Sequence, residues 1–248
     1  KSKMDEEEKR LNQFSRTELL IGKEGIDKIQ KAKVAIFGIG GVGSFVTEGL
    51  VRAGVKKFVL IDNDKVCLTN LNRQIIATRK TIGQYKVDVM KERILGINPD
   101  AEVETYKEFF MPGSNLNIIK KDLDYVVDCI DTVTAKIEIV VQCKNLNIPI
   151  ISAMGTGNKL DPSKLEITDI YKTNNDPLAK IMRKLCKYSK IKKLDVVTSI
   201  ELPIKTHDRT PGSTPFVPSV AGIYMASFIV NRWLKEENKL NKKEININ

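Results

Sequence analysis

The sequence predicts an α/β fold of Rossmann type: a mostly parallel sheet with helices on both faces, extended by antiparallel strands in the C-terminal half. Three observations predict it. An apolar run leads into the glycine cluster "FGIGGVGS" and then into a helical pattern. Apolar stretches of strand length alternate with helical ones as far as residue 155, which is the rhythm of a parallel sheet covered on both sides. Beyond that point, "KLEITDIYKT" and "DVVTSIELPI" flank a single helix without the alternation, so this half is expected to add antiparallel strands.

The elements follow in chain order. "FSRTELLIGKEGIDKIQKA" carries a helical period interrupted near Gly22 and Gly25, giving one or two short helices. "KVAIF" is the first strand, and the helix after the glycines buries Phe45, Val46, Leu50 and Val51 and stops at Gly54, a residue suited to the left-handed turn at a helix end. "KFVLID" is the second strand. Residues 83–98 are helical up to Pro99, which cannot continue a helix. "AEVETYKEFF", "DYVVDCID" and "IPIISAM" supply strands three to five, with the helix "KIEIVVQCKNLN" before the fifth. "DPLAKIMRKLCKYSK" is helical, a Pro- and Gly-rich loop "THDRTPGSTPFVP" follows, and the last helix is expected from Ser219 to about Leu234 with a frayed tail behind it.

Bulk composition narrows the function classes. A chain of 248 residues that is 42% hydrophobic buries one sizeable core. No uninterrupted apolar stretch is long enough to cross a bilayer, so a soluble, cytoplasmic protein is expected. The opening "KSKMDEEEKR" has no apolar segment, and Lys1 ahead of Met4 suggests a cut or tagged chain. Cys67, Cys129, Cys143 and Cys186 form no C-x-x-C pair, which argues against a zinc site and a disulfide framework. The net charge of +10 suits a polyanionic partner and equally suits a merely soluble surface.

Gly38, Gly40, Gly41 and Gly43 follow a strand and open a helix, the context that a phosphate-binding glycine loop requires. Asp62 ends the second strand 19 residues after Gly43, where a carboxylate can accept hydrogen bonds from ribose hydroxyls. So far NAD and ATP fit equally. The loop "TNLNRQ" decides between them, because it adds Asn70, Arg73 and Gln74 beyond the second strand, with Lys86 opening the next helix. That concentration of donors suits a longer phosphate chain and reaction at phosphorus. Asp128 and Asp131 close the fourth strand at the same edge, where a carboxylate can hold Mg²⁺ or cap the following helix.

"GIGGVGS", "LIDNDKVCLTNLNRQ", "GQYKVDVMKERILGINP" and "DCIDT" together resemble the adenylating family of ubiquitin-activating-type enzymes, which includes the molybdopterin and thiamine sulfur-carrier adenylyltransferases. The resemblance covers residues 14–155. It implies a single adenylating domain over 1–248, with a nucleotide half at 14–155, a substrate half at 156–238 and a flexible tail at 239–248. It implies ATP and Mg²⁺ as cofactors. Asp62 would bind ribose, with Asp64 beside it, Asn70, Arg73 and Lys86 would contact the triphosphate, and Asp131 would sit near the metal. Arg16 would reach the ATP of a partner subunit, so a homodimer is implied.

In the second half, "DPSKLEITDIYKTNNDPLAKIMRKL" and "TSIELP" are similar to the branch that converts N6-threonylcarbamoyladenosine at position 37 of tRNA into its cyclic form. The absence of two C-x-x-C pairs favours that branch over adenylation of a ubiquitin-like sulfur carrier. Ring closure on an acyl-adenylate is intramolecular and needs no enzyme nucleophile, in keeping with a chain in which no cysteine stands out. Between Lys180 and Lys193 lie seven Lys or Arg and no acid, among them Arg183, Lys184, Lys187, Lys190 and Lys192. Such a run suits phosphate contacts, and a solvated helix face explains it equally. Lys205 and Arg209 extend the run, while Tyr188 reads as packing and His207 as an ordinary surface residue. A sulfur-transfer partner, a catalytically silent nucleotide-binding protein and an NAD oxidoreductase stay open as alternatives.

Overall fold

A parallel strand covered by helices on both sides is buried on both faces, and the computed structural model shows how the chain achieves this for the strand that precedes the glycine loop. It describes residues 3, 11–114 and 117–245; most of the opening decapeptide and the last three residues of the expected tail lie outside them. The elements are α1 Ser15–Lys31, β1 Lys33–Phe37, α2 Gly43–Ala53, β2 Lys57–Ile61, α3 Lys86–Ile97, β3 Glu102–Tyr106 and β4 Tyr125–Asp128. They continue with α4 Val133–Asn145, β5 Ile150–Ala153, β6 Leu165–Asp169, α5 Pro177–Tyr188, β7 Asp195–Ser199 and α6 Phe216–Ile245. Seven strands form one sheet in the order β3-β2-β1-β4-β5-β7-β6.

The order reverses between β1 and β4, and that reversal opens a crevice at the carboxyl ends of the two strands. It also sorts the helices. Alternate residues of each strand face opposite sides, so Val34 and Ile36 join a core with α2, α3 and α6, whereas Ala35 and Phe37 join one with α4 and α5. Right-handed crossovers on either side of a reversal place helices on opposite faces, which is why both cores exist.

The sheet ends as expected in an antiparallel pair, β6 against β7, with β7 itself running parallel to β5 through Ser152 and Val196. Two other expectations need correction. The last helix starts at Phe216 and runs to Ile245, so it begins earlier and ends later than Ser219–Leu234. Pro218 is accommodated in its first turn, where the missing N–H has no helical partner to lose. The polar end stays helical beyond the core, with an Arg232–Glu236 pair at 3.5 Å one turn apart. The third strand ends at Tyr106, after which Phe110 turns inward onto Phe37 with ring centroids 5.2 Å apart. The interruption in α1 falls at Gly22, whose φ of +75° only glycine adopts readily.

Candidate active site

The glycine loop owes its path to two close approaches. Gly38 has φ of +91°, and a Cβ there would lie 2.5 Å from the Cys129 carbonyl oxygen; at Gly43 it would lie 1.7 Å from the Gly38 carbonyl oxygen. No side chain fits either place. The loop is fixed from the neighbouring strand by Asp62, whose carboxylate accepts the Ile39 and Asp64 N–H groups at 2.8 Å each. Burial pushes the Asp62 carboxyl above its usual range, although these two N–H groups pull against that.

Gly38, Gly40, Gly41, Asp62, Asp64, Asn70, Arg73, Gln74, Lys86 and Asp131 all line one cleft of about 870 Å³ at the crevice. Asn70 is held by the Cys67 N–H, which donates to its Oδ1 at 3.0 Å. Arg73 is half-buried and donates to the Thr69 carbonyl and to Asn72 Oδ1, both at 3.0 Å. Gln74 is buried with an Oε1 that has no partner among the described residues. Lys86, 7% exposed, stands at the first position of α3, its own N–H bonded to the Asp64 carbonyl at 3.0 Å. Two cations and a glycine loop therefore converge on one concavity, an arrangement suited to a phosphate chain.

The other expected residues fall elsewhere. Gly43 lies beneath the loop in the first turn of α2, and Arg16 is exposed on α1 away from the cleft. Asp128 is fully buried and pairs with the equally buried Lys136 at 3.1 Å, so it is an internal ion pair and no metal ligand. Asp131, exposed at the rim, is the carboxylate of "DCID" left facing the cleft. Cys143 and Cys186 are buried, their thiols pushed up to about 12 and about 11 by burial. Lys184, Lys187, Lys190 and Lys192 are exposed on α5 and just beyond it, while Arg183 turns in to the Thr173 hydroxyl and carbonyl.

The cleft continues past the glycine-loop side into a chamber that sequence reading missed. Its lining includes Gly155, Asn158, Lys159, Asp176 and residues 210–213. The signal was present in "GTGNK", a second glycine-rich turn at the carboxyl end of a parallel strand, where ligands of such sheets bind. The Pro- and Gly-rich loop forms one side. Asn158 pairs with Gly212 through both backbone and side chain at 2.8 and 2.7 Å, and Asn72 donates to the Ser213 carbonyl and hydroxyl at 3.1 Å. Asn72 thus ties the loop to the turn that carries Arg73.

The ThiF family pattern matches residues 14–248. The chain is 43% identical over 244 residues to a Bacillus subtilis tRNA threonylcarbamoyladenosine dehydratase, covering 91% of this chain and 96% of that one. It is similar to the Escherichia coli tRNA N6-threonylcarbamoyladenosine dehydratase TcdA, solved with AMP, at a TM-score of 0.86 and 32% identity over 92% of this chain and 96% of that one. The same enzyme solved with ATP superposes at a TM-score of 0.83 with the same identity and coverage.

Proposed function

This chain belongs to the ThiF family, and on that premise we propose that it is an ATP-dependent enzyme that cyclises N6-threonylcarbamoyladenosine in tRNA through an acyl-adenylate. One observation carries the reading: the phosphate-suited concavity and the further chamber are a single cleft, so a carboxylate substrate and the innermost phosphorus of ATP can meet. The B. subtilis dehydratase and TcdA, which match along nearly their whole lengths, support the choice of substrate.

The residues then have defined work. Asp62 accepts the ribose hydroxyls, and the glycine loop lets phosphate oxygens reach the N-terminus of α2. Arg73 and Lys86 stabilise the charge that grows on the phosphate oxygens as a carboxylate oxygen bonds to the α-phosphorus and pyrophosphate leaves. The ureido group of the same side chain attacks the activated carbonyl, the C–O bond to AMP breaks, and a ureido proton is lost. Asp131 is a carboxylate at the rim, which suits Mg²⁺, an ion that takes most of its ligands from phosphate and water and would neutralise phosphate charge there. Arg16, on an exposed face with Leu19 and Leu20 at 85% and 87% exposure, is suited to serve the cleft of a second copy, which makes a homodimer part of the proposal, as is a cytoplasmic location.

The test is mass spectrometry of tRNA nucleosides after incubation with protein and ATP: threonylcarbamoyladenosine should fall by one water, with AMP released. Arg73→Ala should slow this step by about a hundredfold or more, and unchanged cyclisation in that variant would sink the assignment of the site. Adenylation of a ubiquitin-like sulfur carrier is the second reading, marked by pyrophosphate exchange that depends on a small protein instead of tRNA.

A further inference from the structure

The chamber beyond the nucleotide contains a charge that adenine nucleotide binding leaves unused. Three cationic side chains line the cleft: Arg73 and Lys86 on the glycine-loop side, and Lys159 in the segment after β5. Lys159 is 2% exposed. An ammonium offers three donors, yet among the described residues it makes one hydrogen bond, 3.1 Å to the Ser199 carbonyl, and no ion pair.

The nearby carboxylates are already engaged. Asp176 accepts the Gly155 N–H at 3.0 Å, the Thr198 hydroxyl at 3.1 Å and the Ala179 N–H at 3.1 Å, capping α5 in the process. Glu201 accepts the Leu160 N–H at 2.7 Å and the Asp161 N–H at 2.6 Å. Burial pushes the Lys159 ammonium below its ordinary range, against the pull of Asp176 and Glu201, so the charge is under-compensated where it stands. Desolvating a cation on these terms is expensive, and an anion entering the chamber would offset the cost.

We infer that Lys159 is the anchor for the carboxylate of the acceptor substrate, holding it in the chamber with one oxygen free to face the α-phosphorus. The inference rests on the adenylation reading and deepens it by naming the subsite that recognises the reacting group. Lys159 would act in binding and selection. A cation that grips the carboxylate before the reaction stabilises the ground state as much as it guides it, so its loss should appear in KM for RNA far more than in kcat. Atoms balance without it: the carboxylate oxygen forms the new O–P bond, pyrophosphate carries away the broken one, and the lysine keeps its proton.

The experiment is a binding comparison in the presence of a non-hydrolysable ATP analogue. Two anticodon stem-loop RNAs are used, one carrying threonylcarbamoyladenosine and one in which its carboxylate has been converted to the methylamide. The parent protein should prefer the carboxylate RNA by about tenfold or more. Lys159→Gln, which can still donate to Ser199, should erase the preference while holding the affinity for the ATP analogue within about twofold, and Lys159→Arg should keep part of it. An equal preference in Lys159→Gln and the parent protein overturns the inference. Loss of ATP-analogue affinity in both variants makes Lys159 a structural counter-charge and also overturns it. The adenylation reading fails separately, when the parent protein releases no AMP with modified tRNA.

Discussion

Asp62 shows how one side chain serves both fold and chemistry. Its two oxygens take backbone N–H groups from the glycine loop and from its own turn, which leaves lone pairs for a ribose. Burial holds its carboxyl above the usual value of 3.8, so it picks up a proton earlier than an ordinary aspartate as pH falls. ATP affinity is therefore expected to weaken as pH drops through a value above 3.8, and titration calorimetry across pH should find that acid limb missing in Asp62→Asn. The sign separates this from unfolding: a carboxyl whose pKa is raised in the folded state favours the fold when protonated. Arg73, Asn70 and Gln74 were legible from "TNLNRQ" because three donors after a nucleotide-type strand have few other uses. Lys159 was not, since a lone lysine in a loop differs from a surface lysine only in what surrounds it.

Among the elements, α2 and α3 are joined by a buried carboxylate. Glu48, 6% exposed, accepts Arg52 at 2.6 Å on its own helix and Arg93 at 2.6 and 3.0 Å from α3. Burial raises its carboxyl, but the hydrogen bonds of Arg93 and Arg52 outweigh that and hold it below 4.5. Glu48→Gln is expected to lower the unfolding free energy by about 2 kcal/mol at neutral pH, the worth of charge-assisted hydrogen bonds to half-exposed arginines. A depressed carboxyl stabilises fully above its unfolded pKa and loses that stabilisation as pH falls through the folded value. Denaturant melts of parent and variant should accordingly converge in acid. The helices were largely readable because apolar periodicity and glycine or proline stops are local. The ends of α6 were not: Pro218 reads as a stop, and only its place in the first turn makes it harmless, while the polar tail carries no apolar period to mark it as helical.

At the scale of the whole molecule, two predictions concern what reaches the cleft from outside. If Arg16 serves a second copy, Arg16→Ala and Arg73→Ala should each be inactive alone, and refolding them together should recover about a quarter of parent activity, since half the dimers are mixed and each has one complete site. No recovery would argue that Arg16 acts in its own subunit or not at all. The exposed lysines at 184, 187, 190 and 192 should contribute to the salt dependence of tRNA binding, and neutralising all four should flatten the slope of log K against log salt by up to about 3. An unchanged slope would leave them as a solvated face. Arg183 is expected to add little, because its guanidinium is bonded to Thr173.

The sequence by itself determined the class of fold, the glycine loop and the polar residues that line the cleft beside it, because each rests on short motifs whose residues act within a turn of one another. Tertiary structure alone decided that β7 runs parallel to β5, that Asp128 is consumed by Lys136, and that Lys159 lies buried beside a chamber joined to the phosphate side. Those outcomes depend on which distant segments share the low-dielectric interior, and a charge means something different there than it does in the written order of the chain.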